Sequence, residues 1–173
     1  MAKKPVMVRP ATKEDVPAIR QIMQEAFSFY AMKVGISSPG SVQALEETCA
    51  DIEKQLEEKI ILVAEVEGVV AGSVRLEVMA DGSVYFSRFG VLNVFKGKKI
   101  GDRLMAAVDD YMEDNGFDRL ILHTAACLLS LIRFYYSKGF VIVSSDAPRG
   151  YTRALLCKHY ENTQSQYAVG GSW

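Results

Sequence analysis

The stretch Val91-Leu-Asn-Val-Phe-Lys-Gly-Lys-Lys-Ile-Gly-Asp-Arg-Leu104 decides the fold, because a strand ends in it, a short basic loop follows and a helix begins at once. Free N–H groups and a partial positive charge at a helix start form a site for an anion. Gly97 and Gly101 let the backbone approach a ligand closely. Four side chains add positive charge: Lys96, Lys98, Lys99 and Arg103. The stretch predicts a phosphate-binding loop, with an ordinary solvated turn as the alternative, and it lacks the P-loop and dinucleotide-site patterns.

The period of the apolar residues on either side of this stretch predicts a mixed α+β domain. Helical spacing occurs before residue 60 and after residue 100, whereas residues 60–91 contain apolar runs typical of strands. The expected order is a strand, two helices, three strands, a helix, a strand, a helix and two strands. The predicted strands are 6–10, 60–66, 69–78, 84–91, 119–123, 140–144 and 151–158, and the second helix is expected to start near Ser41.

The connections between elements predict the strand directions. Glu67-Gly68 and Asp81-Gly82 are tight turns, so the three strands between residues 60 and 91 should be antiparallel neighbours. The strand at 119–123 follows a helical crossover and should lie parallel to the strand at 84–91. We expect one domain over residues 1–160, with a mixed, mostly antiparallel sheet flanked by helices, and a weakly ordered polar tail over residues 161–173.

Composition excludes several classes of function. Twenty Lys and Arg against 21 Asp and Glu give a net charge of −1, which argues against a general nucleic-acid binder. No apolar run approaches the roughly 20 residues that a membrane span needs. The three cysteines, Cys49, Cys127 and Cys157, have no metal-site spacing and are too few for a disulfide framework. We expect a cytoplasmic protein with a small partner and no metal, nucleic acid or membrane.

The second predicted helix has two contrasting sides. Its apolar side consists of Leu45, Cys49, Ile52 and Leu56. Its charged side consists of Glu46, Glu47, Asp51, Glu53, Lys54, Glu57 and Glu58. We interpret the acidic side as a solvated surface, with attraction of cationic substrates as the weaker alternative.

A second informative stretch, Leu131-Ile-Arg-Phe-Tyr-Tyr-Ser-Lys-Gly-Phe140, places a tyrosine four residues before Gly139. On a helix that faces the crossover strand, Tyr135 would point towards the end of the phosphate loop. A tyrosine hydroxyl there could donate a proton to a departing thiolate. The alternative is that the aromatic rings only pack in the core.

Together, and in this order, the two stretches resemble the GNAT superfamily of acyl-CoA-dependent N-acetyltransferases, over nearly the whole chain. Residues 6–15 look like the family's opening strand and helix start, and Ser87-Arg-Phe-Gly-Val91 looks like its fourth strand. Lys96-Gly-Lys-Lys-Ile-Gly101 is similar to its pyrophosphate loop, Arg/Gln-x-x-Gly-x-Gly/Ala. Residues 135–140 look like its Tyr-x-x-x-Gly-Phe signature.

The resemblance implies a fold and a reaction. The sheet should splay between the fourth and fifth strands, and the pantetheine arm of acetyl-CoA should lie in the gap. The implied cofactor-binding residues are Phe89, Gly90, Val91, Lys96, Gly97, Lys98, Lys99, Ile100, Gly101 and Asp102. The implied reaction moves an acetyl group from acetyl-CoA to a primary amine of a small molecule or peptide by direct transfer in a ternary complex. Tyr135 would protonate the CoA thiolate, with Tyr136 as the competing tyrosine. A homodimer is left open.

Four positions depart from the family pattern. Lys96 replaces the usual Arg or Gln and keeps the positive charge. Lys99 stands where the first motif glycine is expected, Asn93 occupies a frequent proline position, and Leu128 stands where many members have Asn. Lys99 and the absence of a glutamate on the fourth strand favour an alternative function, a non-catalytic CoA-binding or CoA-sensing module on the same fold. A third hypothesis is an interaction domain without a cofactor.

The sequence offers several candidates for the general base and two segments for the acceptor pocket. Many relatives use a Glu on the fourth strand as the base, and the strand here has none, so Glu77, His123, Asp146 or a water relay are the candidates. A covalent role for Cys127 is disfavoured because no His–carboxylate pattern accompanies it. The acceptor should be selected by the last hairpin and by the segment between the first two helices, whose aromatic and apolar residues are Phe27, Phe29, Tyr30 and Met32.

Overall fold

The computed structural model describes residues 4–38 and 40–161, which contain seven strands and four α-helices in the predicted order. The strands are β1 (Met7–Pro10), β2 (Ile60–Val66), β3 (Val69–Val78), β4 (Val84–Val91), β5 (Arg119–Ala125), β6 (Val141–Asp146) and β7 (Arg153–His159). The helices are α1 (Val16–Val34), α2 (Cys49–Glu58), α3 (Ile100–Asp114) and α4 (Leu129–Ser137). The predicted mixed α+β class is confirmed. The expected polar tail lies outside the described residues from residue 162 onward.

The strands form one sheet in the order β1-β2-β3-β4-β5-β7-β6. Every neighbouring pair in it is antiparallel except β4 and β5, which are parallel because α3 connects them as a crossover. The predicted strand directions are therefore confirmed. The order also contains an arrangement that local patterns did not predict, since β7 lies between β5 and β6 and leaves β6 at the edge.

The parallel pair β4 and β5 is the weakest point of the sheet. The two strands are in register only at Val84↔Leu120 and Tyr85↔Ile121. By contrast, β5 is paired with β7 along seven residues, from Arg119↔His159 to Ala125↔Arg153. Beyond Tyr85 the two strands separate and leave a gap in the sheet, which we call the fork. The splay that the resemblance implied is present.

A β-bulge in β4 shapes one side of the fork. Ser73 faces Gly90 and Arg75 faces Ser87, so β4 has one residue more than β3 over this interval. Arg88 has a φ of 54°, in the left-handed region. The extra residue brings Phe86 and Phe89 to the same face of the sheet, where their ring centroids are 5.4 Å apart. The bulge therefore builds an aromatic wall beside the fork.

Two helical layers cover the sheet. Helices α3 and α4 pack on one face, in a core that contains the buried side chains of Leu76, Phe86, Leu104, Met105, Val108, Met112, Leu122, Tyr135 and Phe140. Helices α1 and α2 pack on the other face, around Val16, Ile19, Ile22, Met23, Ile52, Ile61 and Val63. The central strands are thereby covered on both faces, whereas the edge strand β6 is exposed along its whole length. The fork opens between the two layers.

The predicted start of the second helix near Ser41 is wrong, because α2 begins at Cys49. The segment before it contains only a short 3₁₀ turn, Gln43–Leu45. Thr48 begins the helix, since its hydroxyl accepts a hydrogen bond from the Asp51 N–H at 3.2 Å and its own N–H donates to the Asp51 carboxylate at 2.8 Å. Cys49, predicted on the apolar side, is exposed at the first turn.

Gly90 of β4 packs closely against α1, and this contact yields a stability prediction. A Cβ at Gly90 would lie 2.9 Å from the Ala26 Cβ and 3.1 Å from the Ile22 Cγ2. We expect Gly90→Ala to lower the free energy of unfolding by about 1–3 kcal/mol through overpacking, measured by urea denaturation.

The double variant Ala26→Gly/Gly90→Ala is the matched control, because it removes the nearest clashing atom. We expect it to lose less stability than the two single variants added together. Strictly additive losses, or a Gly90→Ala variant as stable as the unaltered protein, would contradict this account of the contact.

Candidate functional site

A cleft of about 1210 Å³ occupies the fork. One end lies at the loop before α3, and the middle lies between β4 and β5. The other end lies at the turn between β6 and β7 and at the segment that joins α1 to α2. This volume exceeds the roughly 300–1,000 Å³ of ordinary small-molecule sites, so the cleft has room for a long ligand and a second reactant together.

The loop before α3 forms one end of the cleft. Gly97 and Lys99 have positive φ angles of 77° and 62°, and the helix begins directly after them at Ile100. The Arg103 N–H donates the first helical hydrogen bond, to the Lys99 carbonyl at 3.1 Å. The N–H groups ahead of it have no carbonyl to donate to within the helix, and they carry the positive end of the helix dipole. The backbone here can bind an anion.

Lys99 adopts the conformation that glycine adopts most easily. Its φ of 62° lies in the left-handed region, and the family motif has glycine at this position. The lysine therefore preserves the path of the loop, at a cost of about 1–3 kcal/mol of local strain. The departure seen in the sequence changes the side chain and leaves the backbone conformation of the loop in place.

Nine of the ten predicted cofactor-binding residues line the cleft: Phe89, Gly90, Val91, Lys96, Gly97, Lys99, Ile100, Gly101 and Asp102. The tenth, Lys98, has its ammonium 5.1 Å from the centroid of the Phe95 ring. The Lys96 ammonium lies 4.0 Å from the centroid of the Phe29 ring, which ties the loop to α1 by a cation–π contact.

Tyr135 lines the middle of the cleft, from α4. Its ring packs edge-on against Phe86 and Phe140, at centroid distances of 6.0 and 5.6 Å. Burial raises the pKa of its hydroxyl far above the ordinary value, and within the described residues this hydroxyl has no hydrogen-bond partner. Tyr136, about 100° further round the helix, is 48% exposed, and its hydroxyl accepts from the Ile142 N–H at 3.5 Å. Of the two tyrosines, Tyr135 is the one at the cleft.

A tyrosine–histidine pair lies where the fork opens. The Tyr85 hydroxyl and the His123 Nδ1 are 2.8 Å apart, across the last paired residues of β4 and β5. Burial, aided by the charges of Arg153 and Arg149, lowers the pKa of His123. The imidazole is therefore neutral at pH 7 and can accept a proton. The sequence analysis named His123 as a candidate base and missed Tyr85, which a strand pattern presents only as a β-forming residue.

The other two candidate bases are held by cations. Glu77 lines the cleft, with a carboxylate oxygen 2.9 Å from the Lys59 ammonium. Asp146 is exposed, with its carboxylate 3.5 Å from the Arg153 Nε. Of the three named side chains, His123 combines a place in the cleft with a neutral, proton-accepting group.

Glu47 does not lie on a solvated acidic surface, and this corrects the interpretation of the second helix. It is 9% exposed, and its two oxygens accept hydrogen bonds from the buried Arg75 guanidinium at 2.9 and 2.8 Å. The Arg88 Nε also donates to it, at 3.0 Å. Arg75 is 1% exposed and forms a further hydrogen bond to Gln55 at 2.6 Å. One carboxylate thus holds two arginines beside the cleft.

The far end of the cleft is closed by two tyrosines. The Tyr30 hydroxyl accepts from the Ala125 N–H at 3.0 Å and lies 3.4 Å from the Tyr151 hydroxyl. These contacts tie α1 to β5 and to the last hairpin. Of the expected acceptor-selecting residues, Phe27, Phe29 and Tyr30 line the cleft, whereas Met32 is 66% exposed elsewhere.

Comparison with known proteins identifies the same architecture. The family model described as Acetyltransferase (GNAT) family matches residues 16–140. PaiA N-acetyltransferase from Thermoplasma acidophilum, solved in complex with coenzyme A, is 19% identical, with a TM-score of 0.78 over 90% of this chain and 99% of its own. Ribosomal-protein-alanine N-acetyltransferase from Brucella melitensis is 22% identical, with a TM-score of 0.71 over 89% and 99%.

A more distant structure also has the fold. A putative streptothricin acetyltransferase from Bacillus anthracis, in complex with acetyl coenzyme A, is 19% identical, with a TM-score of 0.56 over 60% of this chain and 64% of its own. Among curated proteins, sequence comparison finds no match. In residues 4–38 and 40–161, each helix is too short or too polar to cross a membrane.

The left-handed backbone of Lys99 predicts that glycine is tolerated there better than at the neighbouring residue. Lys99→Gly should raise the free energy of unfolding by up to about 1 kcal/mol, because the strain of a side chain at positive φ is relieved. Lys98→Gly, at a negative φ, should instead lower it by about 0.4–1 kcal/mol, because it adds freedom only to the unfolded chain. Chemical denaturation of both variants measures the difference, and equal losses at the two positions would contradict the assigned strain.

Proposed function

Because the chain belongs to the acetyltransferase (GNAT) family, we propose that it transfers an acetyl group from acetyl-CoA to the primary amine of a small molecule or peptide. The observation that carries the proposal is the fork, where β4 and β5 part after Tyr85 and Ile121. It creates one cleft that joins an anion site, a buried tyrosine and a neutral histidine. Structures of the same fold in complex with coenzyme A or acetyl coenzyme A support this assignment.

The loop before α3 suits a diphosphate. The Lys98 N–H donates to the Phe95 carbonyl at 3.2 Å. The other N–H groups of the loop, those of Gly97 and of residues 99–102, would donate to the pyrophosphate oxygens, with Lys96 and Lys99 supplying positive charge. The exposed backbone of β4 at Phe89–Val91 would hold the pantetheine arm, since β5 has separated from it there. Acetyl-CoA, when bound, supplies the thioester carbonyl at the fork.

Tyr135 would act as the general acid. As the amine nitrogen bonds to the carbonyl carbon, the carbon–sulfur bond breaks, and the Tyr135 hydroxyl would donate its proton to the leaving sulfur. The raised pKa of Tyr135 keeps that proton on the hydroxyl at neutral pH. The lack of a competing hydrogen-bond partner among the described residues leaves the hydroxyl free to face the sulfur.

His123 would accept the proton that the amine loses. Its lowered pKa leaves the imidazole uncharged at neutral pH, and Tyr85 fixes the orientation of the ring through Nδ1. The proton could pass directly to His123 or through a water. The Glu77 carboxylate is already engaged in an ion pair, 2.9 Å from the Lys59 ammonium.

The proposal is tested by incubating the protein with acetyl-CoA and a panel of amines and measuring CoA thiol release. Acetylation of at least one amine supports it. CoA-dependent thermal stabilisation without thiol release for any amine would instead support the non-catalytic CoA-binding module. If CoA neither stabilises the protein nor is released from acetyl-CoA with any amine, both hypotheses are contradicted.

Tyr135→Phe tests the acid. We expect kcat to fall by about 10²-fold or more, since no proton is available to the departing thiolate, with CoA affinity within about twofold. Kinetics of thiol release and calorimetric titration with CoA measure the two quantities. Tyr136→Phe is the matched control and should leave kcat intact; a Tyr135→Phe enzyme as active as this control would remove the acid role.

The pH dependence of kcat tests the base. The pKa of His123 is lowered from 6.5, so the imidazole stays neutral until the pH falls below that value. We therefore expect kcat to fall only as the pH drops through this lowered pKa. His123→Gln should lower kcat by about 10²-fold and abolish that acidic limb. Tyr85→Phe, which keeps the imidazole, should retain the limb. An unchanged acidic limb in His123→Gln would show that another group accepts the proton.

A further inference from the structure

We propose that the amine acceptor carries a carboxylate, which is held by Arg149, Arg153 and Arg88 at the end of the cleft opposite the phosphate loop. The inference rests on the proposed function and specifies the substrate class of the same site. It predicts acceptors such as amino acids or peptides with an anionic group near the amine, and it disfavours purely cationic polyamines.

The three arginines surround the point where the fork opens. All of them line the cleft, from β4, from the β6–β7 turn and from the start of β7. Their charges reach the tyrosine–histidine pair: after burial, which raises the pKa of Tyr85, the next influences on that pKa are Arg153, Arg149 and Arg88. Three separate segments of the chain therefore direct positive charge to one place.

The local charges do not cancel. Five cations lie around this end, Lys59, Arg75, Arg88, Arg149 and Arg153, and three carboxylates face them, Glu47, Glu77 and Asp146. Arg75 and Arg88 share a single carboxylate, that of Glu47. Arg149 has no ion pair among the described residues. The end of the cleft keeps an excess of two positive charges, which a neutral or cationic acceptor would leave uncompensated.

Hydrogen-bond donors remain available for an anion. The Arg88 Nε donates a hydrogen bond to Glu47, and the two Nη nitrogens of Arg88 have no hydrogen-bond partner in the described part of the chain. The Arg153 Nε lies 3.5 Å from the Asp146 carboxylate and forms no hydrogen bond to it. Guanidinium groups bind carboxylates through paired, charge-assisted hydrogen bonds, which fix the orientation of the ligand. Such a contact would hold the acceptor with its amine towards His123.

The phosphates of CoA do not account for this cluster. Val91, where β4 leads into the phosphate loop, is six residue steps along the strand from Tyr85. At 3.3 Å per residue this is about 20 Å. The lysines of the loop, Lys96 and Lys99, supply charge at that distant end. A second anionic group is therefore needed to balance the arginines. The acceptor is the reactant that would bind at this end of the cleft.

The experiment compares acceptors that differ in one group. L-Glutamate, L-aspartate and L-phenylalanine are paired with their α-carboxamides, spermidine is added, and kcat/KM is measured by CoA thiol release. We expect each free carboxylate to be preferred over its carboxamide by about tenfold or more. Arg149→Gln, at an exposed turn residue, should reduce this preference at least about fivefold. Arg20→Gln, an exposed arginine outside the cleft, is the matched control and should keep it.

A binding measurement separates this inference from the proposed function. The CoA-saturated protein is titrated calorimetrically with N-acetyl-L-glutamate and its bis-amide, in the unaltered protein and in Arg149→Gln. Tighter binding of the carboxylate that Arg149→Gln weakens would support the anion site even if no amine is acetylated. Equal binding of the two ligands, or turnover of spermidine or the carboxamides above that of the carboxylates, would overturn the inference and leave the acetyltransferase activity standing.

Discussion

The parting of β4 and β5 after two residue pairs is the constraint on which the rest of the structure depends. A parallel pair of strands needs a crossover, and α3 provides it, so the start of α3 lies at the end of β4. A helix start is an anion site, and a strand that has lost its neighbour has free backbone groups. The fork therefore puts a helix start that can bind an anion and a strand with unpaired hydrogen-bonding groups in one continuous cleft, before any side chain is considered.

The two ends of the cleft differ in how they carry positive charge. At the α3 end the charge comes from backbone N–H groups and flexible lysines, which suits a mobile diphosphate. At the other end it comes from guanidinium groups, one of which is fixed by Glu47 and thereby by the buried Arg75. Between them lie Phe86, Phe89 and Tyr135, an apolar section where a tyrosine keeps its proton. The cleft therefore has two separate positively charged ends, as the proposed binding of two anionic reactants requires.

Much of the fold could be predicted from the sequence, because its signals are local. The turns at Gly68 and Gly82, the change of period near Ile60 and the loop before α3 give the element order, the strand directions and the parallel crossover. The start of α2 was missed because apolar residues at helical spacing begin before the Thr48–Asp51 cap, and the cap sets where the helix starts. Local capping outweighed the helical spacing that began at Leu45.

The arrangements that were missed join residues far apart in the chain. Arg75 and Glu47 are 28 residues apart, and Tyr85 and His123 are 38 apart. Sequence periodicity does not show which acidic residue meets an arginine inside a strand, so Glu47, in the segment before α2, could not be distinguished from its solvated neighbours. The sequence pattern of β4 also does not predict the bulge at Arg88, since the bulge depends on the pairing between β3 and β4. Local patterns locate the loop end of the cleft, whereas the arginine-lined end depends on tertiary contacts.

The most direct measurement of the central claim is a crystal structure of the protein with coenzyme A. The account predicts pyrophosphate oxygens within hydrogen-bond distance of the N–H groups of residues 97–102, and the pantetheine arm along β4 in the fork with its sulfur beside Tyr135. Density for the coenzyme outside the fork, or a diphosphate held only by lysine side chains away from the start of α3, would contradict it.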